Sequence, residues 1–324
     1  MLYFLVWPQV YRAGLTRRCS GRADKAPATD LIVMHMNNER EVFGERVSIY
    51  FPILGKIISS FDGTPYYFMD VKDFGKVMDD DPHEGAYIYW KELLSRAHFA
   101  AASGMYRTYR WAEAIMFSYA QSHFLSFAAS FRGFIESSAD VFDGLNGVPL
   151  SLAMHFKHIL PILERKPSSP IIFSSDIENR LIHFSHGRKL EKNEIAPDTH
   201  KAKSVRDYLK TLGNDSETIT KCYSYLCQIT HPAALSVLPI LIPKNNDGSS
   251  FVINLNNDEG LINLFLKEYS GVIEPLFSYS FNLSLMTLKL LNRFPIPDYH
   301  TEYMKNISLD DINAWKRVES VLEK

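Results

Sequence analysis

Three cysteines in 324 residues are too few for a disulfide framework, and their number is odd. Cys222 and Cys227 are five positions apart, which turns them to different sides of a helix, so no zinc site is indicated either. A reducing, cytoplasmic setting fits this usage. A formal net charge of -2 excludes the overall basicity of a protein that holds nucleic acid by charge alone and leaves room only for a local basic patch. No segment reaches the roughly 18 to 20 apolar residues of a membrane helix. The nearest, PLFSYSFNLSLMTL from Pro275 to Leu288, is short and interrupted by Ser and Asn, so no membrane partner is expected. Internal repeats and the Glu-x-x-His signature of di-iron bundles are also missing. What remains is a globular composition, 46% hydrophobic and 22% charged, long enough for two domains or one large helical one.

The N-terminus starts apolar with MLYFLVWPQ, and Arg12, Arg17, Arg18 and Arg22 follow, the reverse of the order in a secretory signal. GLTRRCSGRADKAPATD has no periodicity, so residues 1–35 read as a disordered or non-native leader, with Met34 or Met36 as the better start. GLTRRCSGRA resembles peptide translated through the recombination site of a mobile gene cassette, which implies an accessory gene.

Beyond it, residues 36–80 form a mixed segment. VSIYFPILGKII and YYFMDV allow two short strands, while Pro52 and the i, i+4 spacing of Ile49, Ile53 and Ile57 allow a helix. Residues 81–295 read as a helical bundle domain. Asp81, Pro82 and Glu84 supply an N-cap, a first-turn proline and a capping box for a helix through Ala102. Met105 to Leu145 is one long helix or two meeting near Gln121, and Pro149 opens another. Ser175 and Glu178 make a capping box for a further helix. Helices follow at about 199–212 and 216–231, and from Asp258 to Arg293 with an interruption near Pro275. Phe251 to Leu255 reads as a short strand after a loop. Residues 296–324 are a linker and a C-terminal helix carrying Trp315. The class is all-α or nearly so, a multi-helix bundle with a small mixed N-terminal region.

Chemistry concentrates on two helices. In SFAASFRGFIESSADVF, Phe124, Phe127, Phe131, Phe134, Ile135, Val141 and Phe142 form the apolar arc, and Ser126, Ala129, Ser130, Gly133 and Ser137 a stripe of small residues that invites a second helix. Arg132, Glu136 and Asp140 recur every fourth residue between those faces. They read as an internal ion pair pinning register, or as support for a reactive site.

The second helix is DIENRLIHFSHGRK. Ile177, Leu181 and Phe184 share its core face, and Asp176, Asn179, Arg180, His183 and His186 a polar arc. That arc is either a wet surface or a site. Histidine moves protons near neutral pH and a guanidinium holds phosphate, so an Arg and His together can cleave RNA through its own 2′-hydroxyl. Arg188, Lys189, Lys192, His200, Lys201, Lys203 and Arg206 form either a solvated hairpin or a phosphate-tracking rim beside it. Trp90, Tyr106, Tyr109 and Trp111, with Arg107 and Arg110 between them, are core aromatics or base-stacking groups.

Arg180 to His186 resembles the Arg-x(4–6)-His motif of the HEPN superfamily, helical bundles that include metal-independent ribonucleases of toxin, antiphage and RNA-processing systems. The resemblance covers roughly residues 87 to 240. It implies Arg180 and His186 as a catalytic pair completed across a dimer, no cofactor, and RNA as substrate. His183 would assist, and Arg132, Glu136 and Asp140 would support. Where the family usually carries a polar residue after the arginine, this chain has Leu181. FRGFIESSAD, ENRLIHFSHGRK and LCQITHPAALSV also resemble a bacterial helical family to which no activity is attached. Two other readings stay open. His155, His158, His183 and His186, as two His-x-x-His pairs, have the spacing of a transition-metal site. A non-catalytic scaffold or sensor would use the apolar runs after Pro232 and from Leu261 to Leu291 for contact with a second copy or a protein partner.

Overall fold

The computed structural model describes residues 38–167, 169–245 and 250–324. The leader expected over residues 1–35 lies outside them. Residues 38–43 and Glu45–Ser48 are short helical turns, followed by α1 (Phe51–Ser59), α2 (Val71–Asp80), α3 (Pro82–Ala120), α4 (Phe124–Leu145), α5 (Val148–Leu163) and α6 (Ser175–His186). Then come α7 (Val205–Lys210), α8 (Ser216–Thr230), a turn at Ala234–Val237, β1 (Leu241–Pro243), β2 (Phe251–Ile253), α9 (Asp258–Tyr269), α10 (Ile273–Leu291) and α11 (Asn313–Leu322). The fold is mostly all-α. Of the segment that allowed strands or a helix, VSIYFPILGKII is helical, with Pro52 in the first turn of α1, whereas YYFMDV forms no strand: residues 64–70 are an irregular link that ends at Asp70, the N-cap of α2. Among the described residues no helix is long and apolar enough to cross a membrane.

The 39 residues of α3 run unbroken where two helices were expected, about 60 Å at 1.5 Å per residue. The side chain of Asp81 accepts from the N–H groups of His83 (3.0 Å) and Glu84 (3.1 Å). The Glu84 carboxylate is bound by Arg165 (2.5 and 2.9 Å), so its charge ties α3 to the end of α5. Of the two alternatives for Met105 to Leu145, one helix or two, the break near Gln121 is the one present: Ser122 is left-handed at φ 46° and the chain reverses into α4.

The close contacts of α3 with α4 run in opposite directions along the chain. A Cβ on Gly104 would meet Val141 at 2.8 Å, Thr108 Oγ1 lies 2.8 Å from Ser137 Oγ, and a Cβ on Gly133 would meet the Trp111 ring at 2.6 Å. The stripe of small residues is covered at Ser130, Gly133 and Ser137, while Ser126 and Ala129 stay exposed. The opposite, aromatic face of α4 lies in the core, with Phe131 5.0 Å from Phe265 of α9. α10 packs against both α3 and α4. The buried hydroxyls of Ser280, Ser284 and Thr287 donate to carbonyls one turn back, so the serines that interrupt this apolar run carry no unpaired donor into the core. The interruption before α10 falls at Ser270–Val272, and Pro275 sits in the helix's first turn. One cluster of buried residues extends from Val42 to Val318 and includes Trp315.

Gly-to-Ala substitution inside a helix ordinarily stabilises by about 1 kcal/mol. Gly133→Ala is expected to do the opposite, lowering stability by about 1–2 kcal/mol because the added carbon meets the Trp111 ring. Urea unfolding decides it. In a Trp111→Ala background the same change should become neutral or stabilising, and a loss that persists there would show that the ring is not the obstacle.

Candidate functional site

α6 is held on two sides. Ile177, Leu181 and Ile182 are buried. The capping box expected from Ser175 and Glu178 does not form. Ser174 is the N-cap, and Glu178 is buried under α3, where Tyr89 Oη donates to its carboxylate at 3.4 Å. Arg96 of α3 donates to Ser185 Oγ at 3.2 Å. These contacts fix which way the rest of α6 faces.

The polar arc divides. Asp176 and Asn179 are exposed. Arg180 donates to the Asn146 carbonyl at 2.8 Å and lies 3.5 Å from Asp176. His183 points at α4, its Nε2 2.5 Å from Asp140 Oδ1. His186 is only 6% exposed; its ring lies 4.9 Å from that of His200 and its Nδ1 2.8 Å from Ser185 Oγ. Arg180 and His183 line one cleft of about 520 Å³, and His186 does not line it.

Asp140 is the centre of the arrangement. Its buried carboxylate takes His183 on one oxygen and Arg107 of α3 on the other, while Arg107 Nε donates to Ser137 Oγ at 3.0 Å. Burial alone would raise this carboxyl. The His183 hydrogen bond and the Arg107 charge outweigh it and hold it below the ordinary aspartate range. Arg132 and Glu136 do pair, at 2.9 Å, and reach α8, where Arg132 meets Thr230 (3.3 Å) and Tyr223 donates to Glu136 (2.8 Å). Asp140 stands apart from that pair. Its cation comes from 33 positions earlier on the antiparallel neighbour, a partner that the spacing on α4 does not disclose.

Tyr208 Oη of α7 is 3.4 Å from His183 Nε2. A Cβ at Gly187 would sit 2.4 Å from His183 Nδ1, so only a glycine leaves room beside the second ring nitrogen. With the Nε2 proton donated to Asp140, Nδ1 of the neutral ring carries the lone pair and is the acceptor.

Beyond α6, Arg188 N–H donates to His200 O and Ala202 N–H to Arg188 O, both at 2.9 Å. This bridge lays residues 200–203 alongside α6, so Lys201 and Lys203 join Arg180 and His183 in the cleft. Of the basic segment, these two lysines reach the site. Asp143, Asp176 and Asp198 line it too, which balances its formal charge. Lys203 is firmly paired with Asp143 (2.8 and 2.7 Å), whereas the Arg180–Asp176 contact is longer and exposed.

The four histidines do not assemble. His155 Nδ1 lies 2.8 Å from the Ser151 carbonyl oxygen, its ring sits 6.3 Å from Trp90, and His158 is exposed. Among the described residues no group of three or more His, Cys, Asp or Glu is placed to hold a metal ion. Trp90 is fully buried with its N–H on the Ile172 carbonyl, whereas Tyr106 and Trp111 are partly open. Compared with protein-family models, curated proteins and solved structures, the chain has no match in any of the three.

Asp140→Asn should cost about 2 kcal/mol at pH 7, below the full value for a buried pair because Arg107 is half exposed. The depressed carboxyl contributes stability that is present above pH 3.8 and lost as pH falls through its lower folded value. The variant's deficit should therefore shrink in denaturant titrations at acid pH; an equal deficit at pH 7 and pH 2 would contradict the assignment.

Glu92, buried within α3, behaves oppositely. Burial pushes it up to about 7 against the lowering effect of the Met69 N–H (2.5 Å) and Arg96. Between pH 4.5 and 7 the folded chain keeps a proton that the unfolded chain has released, so stability falls as pH rises. Thermal melts of Glu92→Gln, which keeps the acceptor for Met69, should lose that slope.

Proposed function

We propose that the cleft between α4, α6 and the 198–203 segment binds a phosphodiester, and that the chain is a metal-independent, HEPN-like ribonuclease of a reducing cytoplasm, acting in defence or stress response. The observation that carries the reading is the joint presence in one cleft of Arg180 and of His183 anchored on the buried Asp140. An anion-anchored histidine with its other nitrogen free is equipped as a general base. Arg180, bound through one nitrogen to the Asn146 carbonyl and paired only loosely with the exposed Asp176, can exchange that carboxylate for a phosphate, since exposed pairs are worth about 1 kcal/mol or less.

In this reading His183 Nδ1 accepts the proton of the RNA 2′-hydroxyl. The 2′-oxygen attacks the adjacent phosphorus, the bond to the 5′-oxygen breaks, and that oxygen leaves as an alcohol protonated from solvent. The products are a 2′,3′-cyclic phosphate and a 5′-hydroxyl. Arg180 and Lys201 neutralise the charge that gathers on the phosphoryl oxygens. Asp140 and Arg107 position His183. Proton transfer is thereby given to His183, in place of the Arg180–His186 pair implied by the family resemblance.

The test is cleavage of single-stranded RNA in the presence of EDTA. His183→Ala and Arg180→Ala should each lose about 100-fold or more, while His186→Ala retains most activity. Loss in His186→Ala with retention in His183→Ala would restore the pair implied by the resemblance. Cleavage indifferent to all three, or none by the folded wild type, would remove the ribonuclease reading and leave the non-catalytic scaffold.

A further inference from the structure

The segment between α8 and α9 is the least covered part of the described chain. The helical turn Ala234–Val237 and the 3-10 turn Leu238–Ile240 bury no residue, and β1 and β2 pair antiparallel in a two-stranded sheet that no further strand joins among the described residues. Its register pairs Leu241 with Ile253, Ile242 with Val252 and Pro243 with Phe251. Residues directly opposite share a face, so Leu241, Pro243, Phe251 and Ile253 form one strip, and Ile242 and Val252 lie on the other side. Phe251 is 58% exposed, Ile253 64% and the following Leu255 76%.

An isolated two-stranded hairpin is marginal in water even with a polar surface. This one is apolar, and neither residues 233–243 nor 251–255 contain a charged side chain. Taken at their exposures, Leu235, Val237, Leu238, Leu241, Phe251, Ile253 and Leu255 leave roughly 750 Å² open, more than the largest apolar patch of an ordinary monomer and close to one partner's share of a standard interface.

We infer that this arm is the contact between two copies of the chain, packed through the Leu241–Phe251–Ile253 face about a twofold axis. The absence of charge selects the occupant. A strip with no ion to complement is matched by another uncharged strip of the same length, and the chain itself presents one; an isologous contact of this kind closes at two subunits. The other apolar run considered for contacts, Leu261 to Leu291, is spent largely on the core, where α10 buries twelve of its nineteen residues. The inference does not depend on the ribonuclease reading.

The experiment is light scattering on the full chain after size exclusion, at micromolar concentration. The wild type should have twice the chain mass. Phe251→Asp and Ile253→Asp should reduce it to the chain mass with the thermal melt of the rest of the fold retained, whereas Val252→Asp, on the opposite face, should leave the dimer in place. A monomeric wild type overturns the inference, including one in which another part of the same chain protects the 251–253 amides from exchange or which pairs only with a different protein. So does a dimer that Val252→Asp breaks and Phe251→Asp does not. Expression of either face variant only as aggregate is replaced by Phe251→Ser with Ile253→Ser, read in the same way.

Discussion

The close approach of α3 and α4 sets the position of everything that follows. Two long helices can run this near each other only where side chains are small, and Gly104, Gly133 and Ser137 supply that space at intervals along the contact. The approach brings the Arg107 guanidinium within reach of a carboxylate on the facing helix. A carboxylate buried among helices costs several kcal/mol unless its lone pairs are used. Asp140 uses both oxygens, one for Arg107 and one for His183. The ion pair therefore does more than pin register: it fixes where α6 docks, since the only histidine of α6 that faces α4 is the one that completes the carboxylate's coordination among these contacts.

The same reasoning separates the two histidines of α6. His183 and His186 are three positions apart and share a helix face in projection, but the helix is clamped between α3 and α4, so a modest rotation assigns them to different environments. His183 falls on the α4 side, with one nitrogen anchored and the other beside Gly187. His186 falls at the helix end against His200, under the parallel bridge of residues 188 and 201. One imidazole is thus open to a cleft, and the other is enclosed by its neighbours.

Much of the fold was legible because it rests on local rules. The Asp81 cap, the reversal near Gln121, the aromatic arc of α4 and the inward set of Ile177 and Leu181 follow from periodicity and capping, which a single helix displays by itself. What could not be read was set by long-range partners. Glu84 and Glu178 both stood where a capping box would use them, yet Arg165 and Tyr89 claim their carboxylates from far along the chain. Asp140 could be recognised as a charge needing a partner, but nothing on α4 points to Arg107 in preference to Arg132. Periodicity likewise sorts a helix into faces without saying whether a neighbour covers the polar one, and that burial is what separates His183 from His186.

The apolar segment after Pro232 shows the converse limit. In hydrophobicity it matches the run that becomes α10, since both are rich in Leu and poor in charge. Their fates diverge because α10 is long enough to span the α3–α4 pair and satisfies its hydroxyls within its own backbone, whereas Pro239 and Pro243 prevent the earlier run from forming one long helix. A three-residue strand pair is too short to reach back over the bundle, so its apolar side chains stay outside the cluster that extends from Val42 to Val318. Hydrophobicity without reach leaves a surface that the rest of the described residues do not cover, and a second arm of identical shape would cover it without adding new chemistry.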